Sequence, residues 1–315
     1  MSVSEPRPDV KVLLAMAADH PPIHEAPLAE ARATMSQIGL MLDSPSVSLA
    51  MTRDMACPST SGEITLRLLD SRVERAPGPA VIYYHGGGFV MGDLESHQSL
   101  CIEVARALDL PVIVVGYRLA PEHPWPAAPD DAEAAARWVA TSPAELGRSV
   151  TGLILAGDSA GGALAIVTAM ALRDLPAQVP VIALWPIYPT TDFSSDYPSS
   201  ELFADGYLLT RSAMHWFSEQ YAPDKVDWRA SPLLGDQAGM PPTLVVTAEL
   251  DVLRDEGRAF AAACVEAGVD TVFHEARGTI HGFLTMRQAL PSAVHDLDVC
   301  FEKLKPMIAR ASNSA

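Results

Sequence analysis

The stretch "LILAGDSAGGALAIV" (153–167) holds the pattern with the most chemistry in this chain. An apolar run ends in Gly157-Asp158-Ser159-Ala160-Gly161 and passes straight into an alanine-rich segment. G-x-S-x-G between a strand and a helix lifts its serine hydroxyl above a sheet edge on a sharp turn. Only small neighbours let the chain reverse so abruptly, and the following helix aims its N-terminal dipole and unpaired N–H groups at the serine. A serine hydroxyl needs a base, and the base needs an orienting carboxylate. Asp251 follows the apolar run "TLVVTAE" (243–249), and His281 sits in "RGTIHGF", a small-residue stretch after "DTVFHEA" (270–276). The order Ser159, Asp251, His281 is the one in which this kind of elbow meets its partners. Among rival acids, Asp255 reads as a helix-start residue, Glu249 belongs to a strand, and Asp158 ties the elbow to its neighbours. His274 falls mid-strand, and His20, His24, His97, His215 and His295 have no strand-end setting, so surface or core roles are expected for them.

Attack on a carbonyl creates an oxyanion, which prearranged N–H donors stabilise. One such donor is the N–H of Ala160, the residue after the serine. The others are expected from the loop in "VIYYHGGGFV" (81–90), where a strand runs into three consecutive glycines. A phosphate loop would carry the lysine and serine or threonine of GxxxxGK[ST], which are missing here. A dinucleotide loop would lead through G-x-G-x-x-G into a helix, and "GGGFVMGD" does not.

Such residues must be held at strand ends, and the sequence supplies the strands. Short apolar runs recur at 63–70, 80–84, 111–117, 152–157, 181–188, 243–249 and 270–276. From residue 80 onward they are apolar at both parities, as strands covered on both faces of a parallel sheet are. Alanine-rich helical stretches alternate with them at 95–108, 127–140, 160–173, 254–267 and 292–309. That alternation predicts an α/β fold with right-handed crossovers. The run at 63–70 alternates instead, which suits an antiparallel edge or an entry hairpin. Two segments break the pattern: residues 1–50 carry helical pieces before any strand, and 190–230 form a long insertion with helical periodicity around 210–221. A long excursion inside a compact domain is commonly a lid.

Composition bounds the reading further. Hydrophobic residues make up 49% and charged residues 19%, the profile of a globular chain with a large core. The net charge of −17, with no lysine/arginine cluster, argues against nucleic-acid binding. Cys57, Cys101, Cys264 and Cys300 are scattered without zinc or disulfide spacing and are expected as buried free thiols. The N-terminal stretch lacks the basic region of a signal peptide, and no run of 18 apolar residues exists. A cytoplasmic protein with no membrane partner is expected.

Several of these motifs, in this order, resemble the bacterial esterases related to hormone-sensitive lipase, family IV of the lipolytic enzymes, within the α/β-hydrolase fold. The residues that carry the resemblance are His85-Gly86-Gly87-Gly88-Phe89, "GDLESH" (92–97), "YRLAPEHPWPAAPDDA" (117–132), "GDSAGG" (157–162), "DGYLLT" (205–210), "LDVLRDEG" (250–257) and "IHGF" (280–283). "GDSAGG" points to the branch named for that elbow. The resemblance implies an eight-stranded, mostly parallel sheet flanked by helices. It also implies a helical cap built from residues 1–50 and 190–230 on a catalytic body of 51–189 and 231–315. It implies hydrolysis of short- to medium-chain acyl esters without a cofactor or metal, by Ser159, Asp251 and His281. Gly86, Gly87 and Ala160 would be the oxyanion donors, His85 would brace the loop without carrying protons, and Glu122 would be structural. A homodimer is compatible with it. Family members usually carry proline after the triad acid, where this chain has Val252.

Other functions remain to be weighed against this one. The same triad could act on a lactone, an amide or a carbamate, because the pocket decides the substrate. A ligand-binding module on the same scaffold, as in plant gibberellin receptors, has lost the catalytic histidine, whereas His281 is present. A long-chain lipase would want an extended apolar lid, and the 190–230 insertion is mixed and partly charged.

Overall fold

The computed structural model describes residues 4–18, 20, 22–45 and 47–312. Residues 1–3, 19, 21 and 46 of the expected N-terminal cap piece lie outside the described residues. The strands are β1 (Met51–Ser59), β2 (Gly62–Asp70), β3 (Gly78–Tyr84), β4 (Val112–Gly116), β5 (Val150–Asp158), β6 (Val181–Ile187), β7 (Thr243–Leu250) and β8 (Thr271–Ile280). They form one eight-stranded sheet in the order β1-β2-β4-β3-β5-β6-β7-β8. β1 and β2 make an antiparallel hairpin, β2 is antiparallel to β4, and every pairing from β4 to β8 is parallel. The alternating run at 63–70 is therefore the inner arm of a hairpin. Its edge partner β1 was not signalled, because only Met55 and Cys57 of "MTRDMACPS" are buried and Arg53, Asp54 and Pro58 stay exposed. Charged residues and proline on an edge strand hide its apolar face from sequence reading and also discourage further pairing.

The helices are α1 (Pro8–Ala17), α2 (Leu28–Leu42), α3 (Gln98–Leu108), α4 (Ala127–Ala140), α5 (Ala160–Asp174), α6 (Pro198–Leu202), α7 (Arg211–Tyr221), α8 (Arg254–Glu266) and α9 (Ser292–Ser312). Side chains alternate along each strand between two cores. Ile82, Tyr84, Ile113, Leu153 and Leu155 pack with Ala132, Leu164 and Phe260 of α4, α5 and α8. Val81, Tyr83, Val112, Ile154 and Ala156 pack with Val104, Leu297 and Phe301 of α3 and α9. Helices on both faces are why the parallel strands are apolar at both parities. Each fully buried valine, leucine or isoleucine there contributes about 1.5–3 kcal/mol.

The long insertion between β6 and β7 is fastened to the start of α8. Thr191 N–H donates to Glu256 Oε1 at 2.8 Å, Ser199 N–H to Asp255 Oδ2 at 3.0 Å, and Ser199 Oγ–H to the Val252 carbonyl at 2.8 Å. Within it, α7 buries Ala213, Phe217 and Tyr221, four residues apart on one face. Tyr221 stacks on Phe89 of the glycine loop with ring centroids 3.9 Å apart. The N-terminal helices divide. α1 places Val10 and Leu13 in the α3/α9 core, and Arg7 beside it bonds Asp296 and the Gly278 carbonyl, so α1 packs on the body. The turn Ile23–Glu25 meets α7 instead. All four cysteines are buried and free. Among the described residues no helix is long and apolar enough to cross a membrane.

Candidate active site

β5 ends at Asp158 and α5 begins at Ala160, which leaves Ser159 alone on the turn with φ 55° and ψ −121°. A non-glycine residue in that region stores of order 1–3 kcal/mol of strain, and surrounding contacts must hold it. The Ser159 N–H donates to the Ile187 carbonyl of β6 at 2.8 Å. The flanking glycines leave no room for a side chain: a Cβ on Gly161 would stand 1.9 Å from the Tyr84 carbonyl oxygen, and one on Gly157 2.3 Å from that of Gly161.

β7 and β8 lie side by side, so the residues after their C-terminal ends meet. Asp251 follows β7 directly and His281 follows β8. His281 Nδ1 donates to Asp251 Oδ2 at 2.7 Å, and its Nε2 stands 2.8 Å from Ser159 Oγ. Asp251 is buried, and its Oδ1 accepts the Leu253 N–H at 3.0 Å, which fixes the carboxylate plane. The Tyr188 ring packs on the imidazole with centroids 4.8 Å apart. The structure thus brings Ser159, Asp251 and His281 into one hydrogen-bonded chain. The rivals sit elsewhere: Asp255 binds Arg254, Arg258 and the Ser199 N–H, and Glu249 accepts the Gly278 and Ser4 N–H groups.

The expected donors divide once their hydrogen bonds are counted. Gly86 N–H donates to Asp158 Oδ1 at 3.0 Å, so it is spent inside the protein and is corrected as an oxyanion donor. A Cβ at Gly86 would meet Asp158 Oδ2 at 2.5 Å, so the residue is glycine because an aspartate lies against it. The next two peptides have their carbonyls tied down. Gly86 O accepts from His85 Nδ1 at 2.8 Å, and Gly87 O accepts from Val90 N–H at 3.1 Å and Met91 N–H at 2.8 Å. In a trans peptide the N–H points opposite its carbonyl, so the Gly87 and Gly88 N–H groups are directed away from these ties, and neither donates to any described residue. Their backbones need φ of +117° and +63°, values glycine adopts readily. Ala160, at the first position of α5, likewise has an N–H without an intrahelical acceptor.

Behind this loop lies a buried cluster that sequence reasoning did not single out. Asp158 accepts the Tyr83 hydroxyl at 2.9 Å as well as Gly86 N–H, and faces His97 Nε2 at 3.3 Å. His97 Nδ1 is 2.9 Å from Ser96 Oγ, whose proton has an acceptor in the Asp93 carbonyl at 3.0 Å. Burial pushes the His97 imidazole down, but Asp158 more than reverses this and leaves it above its ordinary value. Burial likewise raises Asp158, and His97 with Tyr83 brings it net below the usual carboxylate range. His85 is pulled down to about 4 by burial and by repulsion from His97, which keeps it neutral. It stacks on Tyr117 with centroids 4.3 Å apart, and the Tyr117 hydroxyl donates to its carbonyl at 2.7 Å. The adjacent Ser96-His97 pair in "GDLESH" was the available signal, but its acid lies far off in sequence.

A family model described as the alpha/beta hydrolase fold matches residues 81–285. An ethyl acetate hydrolase from Pseudomonas putida is 36% identical over 298 residues, 90% of this chain and 92% of the relative. Carboxylic ester hydrolase LipN of Mycobacterium tuberculosis is 37% identical over 271 residues, 83% of this chain and 71% of the relative. Among solved structures, a mutant of LAE6, an alpha/beta hydrolase enzyme from the metagenome of Lake Arreo in Spain, aligns with a TM-score of 0.89 at 37% identity, covering 97% of this chain and 98% of that one. A Pyrobaculum calidifontis esterase aligns with a TM-score of 0.88 at 34% identity, over 96% and 99% of the two chains.

Proposed function

The chain belongs to the α/β-hydrolase family, in the branch of esterases related to hormone-sensitive lipase, and is a carboxylic ester hydrolase; we propose that it is a serine esterase for short- to medium-chain acyl esters. The observation that carries this reading is the hydrogen-bonded chain from Asp251 through His281 to Ser159, with separations of 2.7 and 2.8 Å.

His281 Nε2 takes the Ser159 proton as Oγ attacks the ester carbonyl carbon. Asp251 holds the tautomer in which Nδ1 carries hydrogen and stabilises the imidazolium. The Gly87, Gly88 and Ala160 N–H groups receive the oxyanion, with no reorganisation at the moment of reaction. The tetrahedral intermediate collapses, the alkoxide takes the proton from His281 and leaves as alcohol, and the acyl group stays on Ser159. Water then gives a proton to His281 and attacks the acyl carbon, and the acid leaves as Ser159 recovers its proton. The likeness to a relative named for ethyl acetate supports small acyl groups, as do the aromatic neighbours Tyr188 on His281 and Phe217 against Gly88.

The test is hydrolysis of p-nitrophenyl esters from acetate to palmitate, by the wild type and by Ser159→Ala. Turnover peaks at the short to medium chains and collapses in the variant. A maximum at palmitate overturns the chain-length reading, and near-wild-type turnover by Ser159→Ala overturns the nucleophile.

A further inference from the structure

Arg32 is the residue outside the site whose bonds lead most directly into it. It lies on α2, a helix in which Ala31 is the buried residue, and its guanidinium makes four hydrogen bonds. Two join Glu122, Nη1 to Oε1 and Nη2 to Oε2, each at 2.7 Å. The other two go to backbone carbonyls: Nε to Val90 O and Nη2 to Ala120 O, each at 2.8 Å. A pair that merely fastened α2 to the surface would need only the first two. The hydrogen bond from Arg32 holds Glu122 down at about 2, so the pair stays charged throughout the neutral range.

The bond to Val90 O touches a peptide with a second task. The N–H of that same Val90–Met91 peptide donates to Gly87 O at 2.8 Å. Gly87 O in turn belongs to the peptide whose N–H is that of Gly88. Two peptide groups therefore stand head to tail between the guanidinium and a proposed oxyanion donor: Arg32 Nε–H to Val90 C=O, Met91 N–H to Gly87 C=O, and Gly88 N–H outward. Val90 and Met91 are fully buried, so the chain runs where water does not screen it. A charged donor strengthens the bond it makes, and hydrogen-bonded peptides in a low dielectric polarise one another.

We propose that Arg32 is a positioning residue for ester hydrolysis, aligning and polarising the Gly88 N–H through these two peptides. The proposal rests on the serine-esterase reading above. Glu122 aims the guanidinium, so it matters less than the guanidinium itself.

The experiment compares wild type with Arg32→Ala, Arg32→Lys and Glu122→Gln on p-nitrophenyl butyrate. It adds the Ki of a trifluoromethyl ketone, whose adduct carries an oxyanion, the melting temperature, and labelling of Ser159 by an organophosphate. Losing part of one donor's alignment lowers kcat about tenfold in Arg32→Ala. KM stays within about twofold, and Ki weakens by the same factor as kcat. Glu122→Gln leaves Arg32 on its carbonyls and costs less than about threefold. Arg32→Lys, a charge without the fork, falls between the two. Wild-type kcat and Ki in folded Arg32→Ala overturn the proposal, and so does an equal loss in Glu122→Gln, which would reduce Arg32 to a fastener of α2. Should Arg32→Ala not fold, Arg32→Lys must still show a lower kcat than Glu122→Gln. If Ser159 of the wild type is not the labelled residue, the reading of the site falls and the relay with it. If it is labelled and Arg32→Ala is unimpaired, the relay alone falls.

Discussion

Two serine–histidine–aspartate chains lie close together in this molecule. One runs from Ser159 through His281 to Asp251, with separations of 2.8 and 2.7 Å. The other runs from Ser96 through His97 to Asp158, with separations of 2.9 and 3.3 Å. The residue types are the same, and the surroundings make them different objects. Ser159 sits at positive φ on a half-buried turn with N–H groups beside it that bond no described residue, and among the described residues its oxygen bonds the histidine alone. Ser96 is buried, and its oxygen also contacts both the carbonyl and the N–H of Asp93, so no proton or lone pair is left for a substrate. Asp251 has one task beyond its histidine, the Leu253 N–H. Asp158 holds Tyr83 and Gly86 as well, and in doing so fixes the start of the glycine loop. Exposure, backbone strain and unpaired donors are what the proposed nucleophile has; the same three residue types without them form a buried brace.

Paired substitutions break or sharpen that comparison. The largest contrast is at the serines. Ser159→Ala lowers kcat for p-nitrophenyl butyrate by about 10⁴-fold or more, whereas Ser96→Ala stays within about threefold; comparable losses would erase the distinction. At the acids the contrast is of kind. Asp251→Asn lowers kcat by about 10⁴-fold through the wrong tautomer and hardly moves the denaturation midpoint. Asp158→Asn takes a buried carboxylate away from the Tyr83 hydroxyl, the Gly86 N–H and His97, and costs about 3 kcal/mol of stability in urea titrations. An Asp158→Asn protein as stable as wild type would show that the second chain carries no load.

The smallest effect is at a third buried acid near the site, Glu256. Burial pushes its carboxyl up to about 8, even though Thr191 N–H and Thr190 bond it, and Asp192 and Asp251 add repulsion. Asp158 is as buried, yet it stays ionised because a histidine faces it. The folded value of Glu256 lies above the unfolded 4.5, so its contribution is intact below 4.5. It is lost as pH rises toward about 8, because the unfolded chain gives up its proton first. Glu256→Gln removes that slope, so its melting temperature relative to wild type should climb between pH 5 and pH 8. A constant difference across that range would contradict the protonated state.

The parts legible in the sequence were those written locally. The α/β alternation was readable because parallel strands covered on both faces are apolar at both parities. The places of Ser159, Asp251 and His281 just after strand ends were readable from the apolar runs before them, and their joint role as a triad is the proposal. Gly86 misled because three adjacent glycines look alike in sequence. The carboxylate of Asp158, brought there by strand pairing, and the His97 imidazole beside it separate Gly86 from Gly87 and Gly88. His97 and Arg32 were invisible as contributors for the same reason, since their partners lie 61 and 58 residues away. β1 was hidden by exposure, with two buried side chains in nine residues.

The central claim is that Ser159, and not the buried Ser96, is the nucleophile. Its most direct test is to treat the protein with diethyl p-nitrophenyl phosphate and locate the adduct by peptide mass spectrometry while following ester hydrolysis. One phosphoryl group on Ser159, appearing in step with the loss of activity, is the predicted result. Full loss of activity with Ser159 unmodified, or an adduct on Ser96, would contradict it.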